Sequence, residues 1–240
     1  MFVEAIETLF VPVAIQNNAG GEDARTLERF GEQAWNNPVV RFLDARGTDV
    51  LKRADGIWTS AALAPRMSAA LLAAKRELPV WWKLAELDAR VDELPRVVFA
   101  MPCFWVGQAK LGALEGIADA RPAFLEGLEV VDVRYDPQRL PLTQLIAAAK
   151  RAHVADRVWV STDADLSLAR HELGALATRL TAAPKAAPDS NDLRALKASR
   201  WGKLPLPRAL AVQANARFAA GESPPLDLLS PRQRAVMKLE

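Results

Sequence analysis

The sequence is poor in the residues that build disulfides and metal centres. Among its 240 residues there is one cysteine, Cys103, and there are two histidines. A single cysteine excludes an intramolecular disulfide, a cysteine-rich zinc site and a CxxC redox pair within the chain. One thiol is left to explain, and no resident metal or cofactor is expected.

Long apolar runs and a strong charge bias are also absent. The longest apolar run, at 97–107, is much shorter than the roughly 18 residues needed to span a bilayer. Glu4 and Glu7 interrupt the apolar N-terminal stretch, which is not typical of a secretory signal. The net charge is +2 and the mean hydropathy is −0.01. These features predict a cytoplasmic protein that has neither a membrane nor a nucleic acid as its partner.

Local patterns divide the chain into three segments of an α/β (α+β) protein. Residues 1–94 read as helix, strand (FVPVAI, 10–15), helix, hairpin (from VVRFL, 39–43, with a return strand starting at 50–52) and helix. Residues 95–182 read as β-α-β-β-α-β, the order of the ferredoxin-like split-βαβ arrangement, followed by a further helix at 165–180. Residues 183–240 carry ten basic and five acidic side chains, a net charge of +5. They are rich in proline and predict a basic tail that is solvated or docks elsewhere.

The middle segment carries a recognisable set of motifs. It has PCFW at 102–105, LEGI at 114–117, FLEG at 124–127 and VRYDP at 133–137. These pieces and the helix that follows resemble the core of the A-type peptide methionine sulfoxide reductases. The resemblance covers about 60 residues of the chain.

The resemblance implies a thiol-dependent oxidoreductase with Cys103 as its nucleophile. In that family a thiolate attacks the sulfoxide sulfur and gives a sulfenic acid and a thioether. A cysteine at a helix N-terminus is suited to this role, since the helix dipole and free N–H groups stabilise its thiolate. Phe104, Trp105 and Phe124 would contact the substrate, which would be methionine sulfoxide or another small oxidised molecule. Gln108 would polarise the sulfoxide oxygen.

Two departures from the family pattern concern proton donors. The family has a glutamate five residues after the cysteine, and the resemblance assigns proton delivery to that glutamate. The family also has a tyrosine where this chain has Phe124. Gln108 and Phe124 cannot supply a proton. The alternative is therefore a catalytically impaired binding or redox-partner module. Since the chain has no second cysteine, turnover would need an external thiol reductant such as thioredoxin or glutathione.

The first segment resembles the second half of a thioredoxin-like domain. WNNPVVRFLD at 35–44 is similar to the proline–strand–turn element of that superfamily, with Pro38 at the position of its cis-proline. The first strand and the redox helix of that fold have no counterpart. A two-domain family of thioredoxin-like (seleno)proteins joins such a region, with a Val-Pro-Gly-selenocysteine motif, to a reductase-like domain. The resemblance implies that the true start lies upstream, past an in-frame selenocysteine codon.

Three residues keep a plain structural interpretation beside the functional one. Cys103 is either a buried structural thiol or a reactive one, and its CFW context favours the reactive one. Trp81 and Trp82 are expected to be hydrophobic anchors rather than a binding platform.

Overall fold

The computed structural model describes residues 1–238 and divides into two units, Met1–Ala89 and a second from Arg90 onward. The boundary lies close to the one expected at 94/95. Residues 183–238, the described part of the segment expected as a separate tail, belong to the second unit. Among residues 1–238, no helix has both the length and the apolar character to cross a bilayer.

The first unit contains four helices and a two-stranded sheet. They are α1 (Phe2–Leu9), α2 (Glu22–Phe30), β1 (Val39–Val40), β2 (Ala54–Asp55), α3 (Ser60–Ala73) and α4 (Val80–Ala89). Local signals explain the helix ends. Gly31 ends α2 in the left-handed region at φ 63°, and the Thr59 side chain caps α3 by accepting a hydrogen bond from the Ala62 N–H.

The hairpin predicted after Pro38 is confirmed, with a later return strand than the expected 50–52. Val39 pairs with Asp55 in antiparallel register. The turn forms because the Asp44 carboxylate accepts hydrogen bonds from the N–H groups of Arg46 and Thr48. The Asn37–Pro38 peptide bond is cis.

The predicted strand at 10–15 is wrong. These residues pair with no strand, and Val11 and Val13 are 90% and 76% exposed. Their apolar alternation has no neighbouring strand to bond with. A helix that was not predicted, α4, carries Trp81 and Trp82 into the core of this unit. The indole N–H of Trp82 donates to the Ser68 hydroxyl at 2.8 Å.

The second unit is built on a six-stranded mixed sheet. Its elements are β3 (Arg96–Ala100), α5 (Phe104–Gly112), β4 (Ile117–Leu125), β5 (Leu128–Tyr135), α6 (Leu142–Arg151), β6 (Arg157–Val160), α7 (Asp163–Leu173), β7 (Ala177–Arg179), β8 (Lys185–Ala186), α8 (Arg194–Lys197), α9 (Arg208–Ala219) and α10 (Pro231–Val236). The β-α-β-β-α-β order predicted from β3 to β6 is confirmed. The helix expected at 165–180 ends earlier, since Gly174 turns the chain at φ 57° and β7 follows.

The strand order is β7-β6-β3-β5-β4-β8. β3 pairs antiparallel with β5 and β6, and β4 pairs antiparallel with β5. Each of α5 and α6 therefore connects two strands that have one other strand between them. β3 lies at the centre, with Val97, Val98 and Phe99 fully buried. The loop from β3 into α5 thus leaves from a strand whose residues are buried in the middle of the sheet.

The C-terminal segment adds a helical layer to this sheet. α9 contacts both α5 and β4, and its Leu210 and Val212 side chains are fully buried. Gly112, the last residue of α5, allows the close approach, because a Cβ atom there would lie 2.6 Å from Cγ1 of Val212. The apolar residues that look scattered in a proline-rich sequence therefore complete the core of the second unit.

Candidate functional site

The thiol of Cys103 lies at the N-terminus of α5, as predicted. β3 ends at Ala100 and α5 begins at Phe104, so Cys103 is the N-cap residue, with an extended backbone. Its carbonyl accepts a hydrogen bond from the N–H of Gly107 at 3.1 Å, and its side chain is partly exposed. Cys103 therefore lies at the positive end of a helix dipole and is partly accessible to solvent.

A carboxylate that was not predicted lies beside it. Oε2 of Glu129 accepts a hydrogen bond from the backbone N–H of Phe104 at 2.8 Å. Glu129 reaches this position from β5, where its carbonyl also accepts the N–H of Met101 at 3.3 Å. An acidic side chain thus contacts the residue next to the only thiol of the chain.

The strand pattern contains the signal for Glu129. The side chains that share its face of β5 are apolar or aromatic and buried: Val131, Val133 and Tyr135. A charged residue at the head of such a row needs a partner, and here the partner is an N–H at the start of α5. The partner itself is not readable from the sequence, since it depends on the pairing of β3 with β5.

The three aromatic residues predicted to contact substrate are brought together. Phe104 is buried, and its ring centroid lies 5.7 Å from that of Trp105 and 5.5 Å from that of Phe124, both in edge-to-face geometry. Trp105 and Phe124 remain 41% and 37% exposed. Phe124 is also the cross-strand partner of Glu129. Thiol, carboxylate and aromatic surface therefore belong to one side of the unit.

Gln108, predicted to act on the sulfoxide oxygen, is used elsewhere. The residue is 1% exposed. Its amide nitrogen donates to the carbonyl of Ala120 at 2.7 Å and to Oδ1 of Asp192 at 2.6 Å, and its oxygen accepts the N–H of Leu193 at 3.0 Å. Both amide hydrogens are consumed, so this geometry leaves no donor for a substrate. Gln108 fastens the C-terminal segment to α5.

A partly buried ion-pair network also connects the C-terminal segment to β4. The Arg208 guanidinium donates to Asp119, to both oxygens of Asp192 and to the carbonyl of Ala120. Burial raises the pKa of the Asp192 carboxyl, but the hydrogen bonds and charge of Arg208 outweigh it and hold that pKa below its usual range. Asp192 is therefore a structural anion, not a proton donor.

Pro38 lies in the first unit, at the start of its hairpin, and its carbonyl accepts the N–H of Gly56 at 3.0 Å. Within residues 1–238, no group of three or more His, Cys, Asp and Glu side chains is arranged to hold a metal ion.

Comparison with known proteins leaves the family open. A scan against protein-family models finds no match for this chain, and a search of the curated proteins finds none either. The chemistry of the site is therefore argued from its own residues.

Proposed function

We propose that this chain is a thiol-dependent oxidoreductase that resembles the A-type peptide methionine sulfoxide reductases, with Cys103 as nucleophile. The observation that carries the proposal is the contact of Glu129 with the first N–H of α5, next to Cys103. A nucleophile, an acid and an apolar wall are the three groups that reduction of a sulfoxide requires.

The first step is attack of the Cys103 thiolate on the sulfoxide sulfur. A proton must reach the sulfoxide oxygen as the S–O bond breaks, and Glu129 in its acid form can supply it, because its carboxyl contacts the neighbouring residue. The products are a thioether and a Cys103 sulfenic acid. Trp105 and Phe124 would contact the apolar groups on the sulfoxide sulfur.

The second step returns Cys103 to its thiol. An external thiol attacks the sulfenic acid and releases water, which leaves a mixed disulfide. A second external thiol then releases Cys103 and a disulfide of the reductant. A lone cysteine that must be kept reduced in this way fits a cytoplasmic location, where thioredoxin and glutathione are available.

The finer fold assignments are part of the same proposal. The interleaved order β6-β3-β5-β4, connected by α5 and α6, supports a ferredoxin-like, reductase-type second unit. The hairpin that follows Pro38 supports a thioredoxin-like first unit.

The test is reduction of the two methionine sulfoxide epimers with dithiothreitol as the reductant. Wild type is expected to reduce the S epimer, and Cys103→Ser to be inactive. Glu129→Gln should lower kcat by about 10²–10⁴-fold, the usual contribution of a general acid. Glu115→Gln, a change at an exposed glutamate of the same unit, should leave the rate unaltered.

A second candidate is a binding or redox-partner module without turnover. It is favoured by Gln108, whose donors are consumed, and by Phe124, which has no hydroxyl, so that Glu129 alone could deliver a proton. Wild-type turnover equal to that of Cys103→Ser would select this candidate and refute the reductase.

A further inference from the structure

A cavity of about 300 Å³ lies beside α5 on the side of the C-terminal segment. Its lining residues are Trp105, Gln108, Arg194, Ala195, Asn215 and Ala219. Four of the six come from α8 and α9, beyond the residues that resemble the reductase family. The cavity therefore depends on the C-terminal segment of this chain, and the resemblance to the reductases does not account for it.

Arg194 supplies a positive charge at the cavity. Its guanidinium carbon lies 3.9 Å from the centroid of the Trp105 ring, a stacked cation–π contact. Within residues 1–238 it has no ion pair and no side-chain hydrogen bond. The stacking holds the guanidinium plane while its N–H donors remain available, as in sites that recognise planar anions.

Asn215 supplies a second donor. It is 3% exposed, and its Oδ1 accepts the N–H of Leu196 at 3.1 Å. Its Nδ2 has no hydrogen-bond partner among the described residues, and the side chain lines the cavity. This nitrogen is not one of the enclosed polar atoms that lack a partner, so it faces the accessible space of the cavity and is available as a donor to a ligand.

The backbone before Arg194 is held in an unusual conformation. Leu193 has a φ of 51°, in the left-handed region that a leucine rarely adopts. Gln108 accepts the N–H of Leu193, and Arg208 binds the preceding Asp192. These contacts direct Arg194 onto Trp105, and they neutralise the one carboxylate close to it in sequence. No lining residue carries a negative charge.

We propose that this cavity binds the carboxylate of a small organic acid, with Arg194 and Asn215 as hydrogen-bond donors and Trp105 as the apolar wall. Its volume suits a ligand the size of an amino acid or a short peptide. Trp105 is two residues from Cys103, so the acid belongs either to the sulfoxide substrate or to the thiol reductant. That last link rests on the proposed function; the binding does not.

Calorimetric titration of the full chain tests the proposal without any turnover. The probes are N-acetyl-L-methionine for the substrate class, S-methylglutathione for the reductant class and N-acetyl-L-methionine amide as a neutral match. Wild type should bind at least one of the acids more tightly than the amide. Arg194→Gln should weaken that binding by about ten- to a hundredfold, the usual effect of losing a hydrogen bond to a charged group.

Two further variants separate recognition from folding. Asn215→Asp keeps the oxygen that accepts the Leu196 N–H but replaces the open donor with a carboxylate, so it should abolish acid binding. Arg170→Gln removes an exposed arginine of α7 and should leave the affinity unchanged. Near-ultraviolet circular dichroism of each variant confirms that the fold is retained.

The outcomes are distinct. If neither acid binds wild type, or if Arg194→Gln binds as tightly as Arg170→Gln, the cavity proposal is refuted. Binding that depends on Arg194, in a protein that reduces no sulfoxide, would uphold the cavity and reject the reductase. The acid that binds identifies which of the two ligand classes the cavity serves.

Discussion

Replacement of Gln108 by glutamate tests whether this residue stabilises the fold or takes part in catalysis. The reductases that this chain resembles carry glutamate five residues after the cysteine, so the resemblance implies that Gln108→Glu restores activity. The structure implies the opposite. The new carboxylate would lie at 1% exposure, and its oxygen would replace a nitrogen that is 2.6 Å from Oδ1 of Asp192.

The expected loss follows from the contacts. The bond to Asp192 is charge-assisted and contributes about 1.5–3 kcal/mol, and the bond to the Ala120 carbonyl about 1 kcal/mol. Ala120 keeps a partner, because Arg208 also donates to it. Repulsion between the buried carboxylate at position 108 and the partly buried Asp192 adds to the loss, so the free energy of unfolding should fall by about 3–5 kcal/mol near pH 8.

The loss should depend on pH with a definite sign. Burial and the Asp192 charge would raise the pKa of a glutamate at position 108 in the folded state above its unfolded value of about 4.3. The penalty is therefore absent below about pH 4 and grows as the pH rises toward the folded pKa. The difference from wild type should be smaller at pH 5 than at pH 8.

Urea unfolding at the two pH values measures the effect, and hydrogen exchange of β3 and α5 peptides assigns it to the second unit. Gln144→Glu, at an exposed position of α6, is the matched control and should change stability by less than about 0.5 kcal/mol. A Gln108→Glu protein as stable as this control, or one with raised sulfoxide reductase activity, would refute the structural role.

Three more substitutions test other parts of the molecule. Ser68→Ala leaves the buried indole N–H of Trp82 without its acceptor and should cost about 1–3 kcal/mol in urea unfolding. Gly112→Ala forces a Cβ against Val212 and should cost about 1–3 kcal/mol, measured in the same way. Asp192→Asn should cost about 1–3 kcal/mol at pH 6, with a smaller difference at pH 3. The pKa of Asp192 is lowered in the fold, so its stabilisation is present above the unfolded pKa of about 3.9 and is lost as the pH falls through the folded value.

Each has a matched control at a less constrained position. Ser167→Ala removes an exposed hydroxyl, Gly20→Ala adds a Cβ where no atom lies within 4 Å, and Asp227→Asn neutralises an exposed carboxylate. Losses no larger than those of the controls would contradict the packing and ion-pair arguments. A difference for Asp192→Asn that grows toward pH 3 would contradict the sign of its linkage.

The fold is readable from sequence where the signals are local. The strands from β3 to β6 are short apolar or alternating runs separated by clear helix and turn signals, so their order follows from periodicity. The segment at 10–15 has the same alternation but no partner, and pairing is not a local property. α4 is not predicted because its two tryptophans suggest anchoring without revealing a helical period. β7 is not predicted because the sequence reads as one continuous helix there, whereas Gly174 ends α7 and the strand follows.

The candidate site likewise contains residues whose proximity the sequence predicts and residues whose proximity it does not. Cys103, Phe104 and Trp105 are consecutive and share a helix start, so their proximity is implied by the sequence alone. Phe124 follows from the strand order. Glu129 and Arg194 do not. Glu129 contacts the Phe104 N–H from β5, and Arg194 contacts Trp105 from a segment about 90 residues further along the chain. Long-range contacts of this kind are decided by tertiary structure.

The two-residue strand β8 protects part of the outer edge of β4 in the six-stranded sheet. It pairs with the outer backbone of β4 at Ala123 and Phe124. Its own residue Lys185 is exposed to solvent, so the outermost strand of the sheet carries a positive charge. Short, charged outermost strands are a common protection against edge-to-edge aggregation. A chain that ended at 182 would lose this cover together with α9, and would expose both an unpaired strand edge and the apolar surface of α5. We therefore expect the C-terminal segment to limit edge-to-edge association as well as to complete the core.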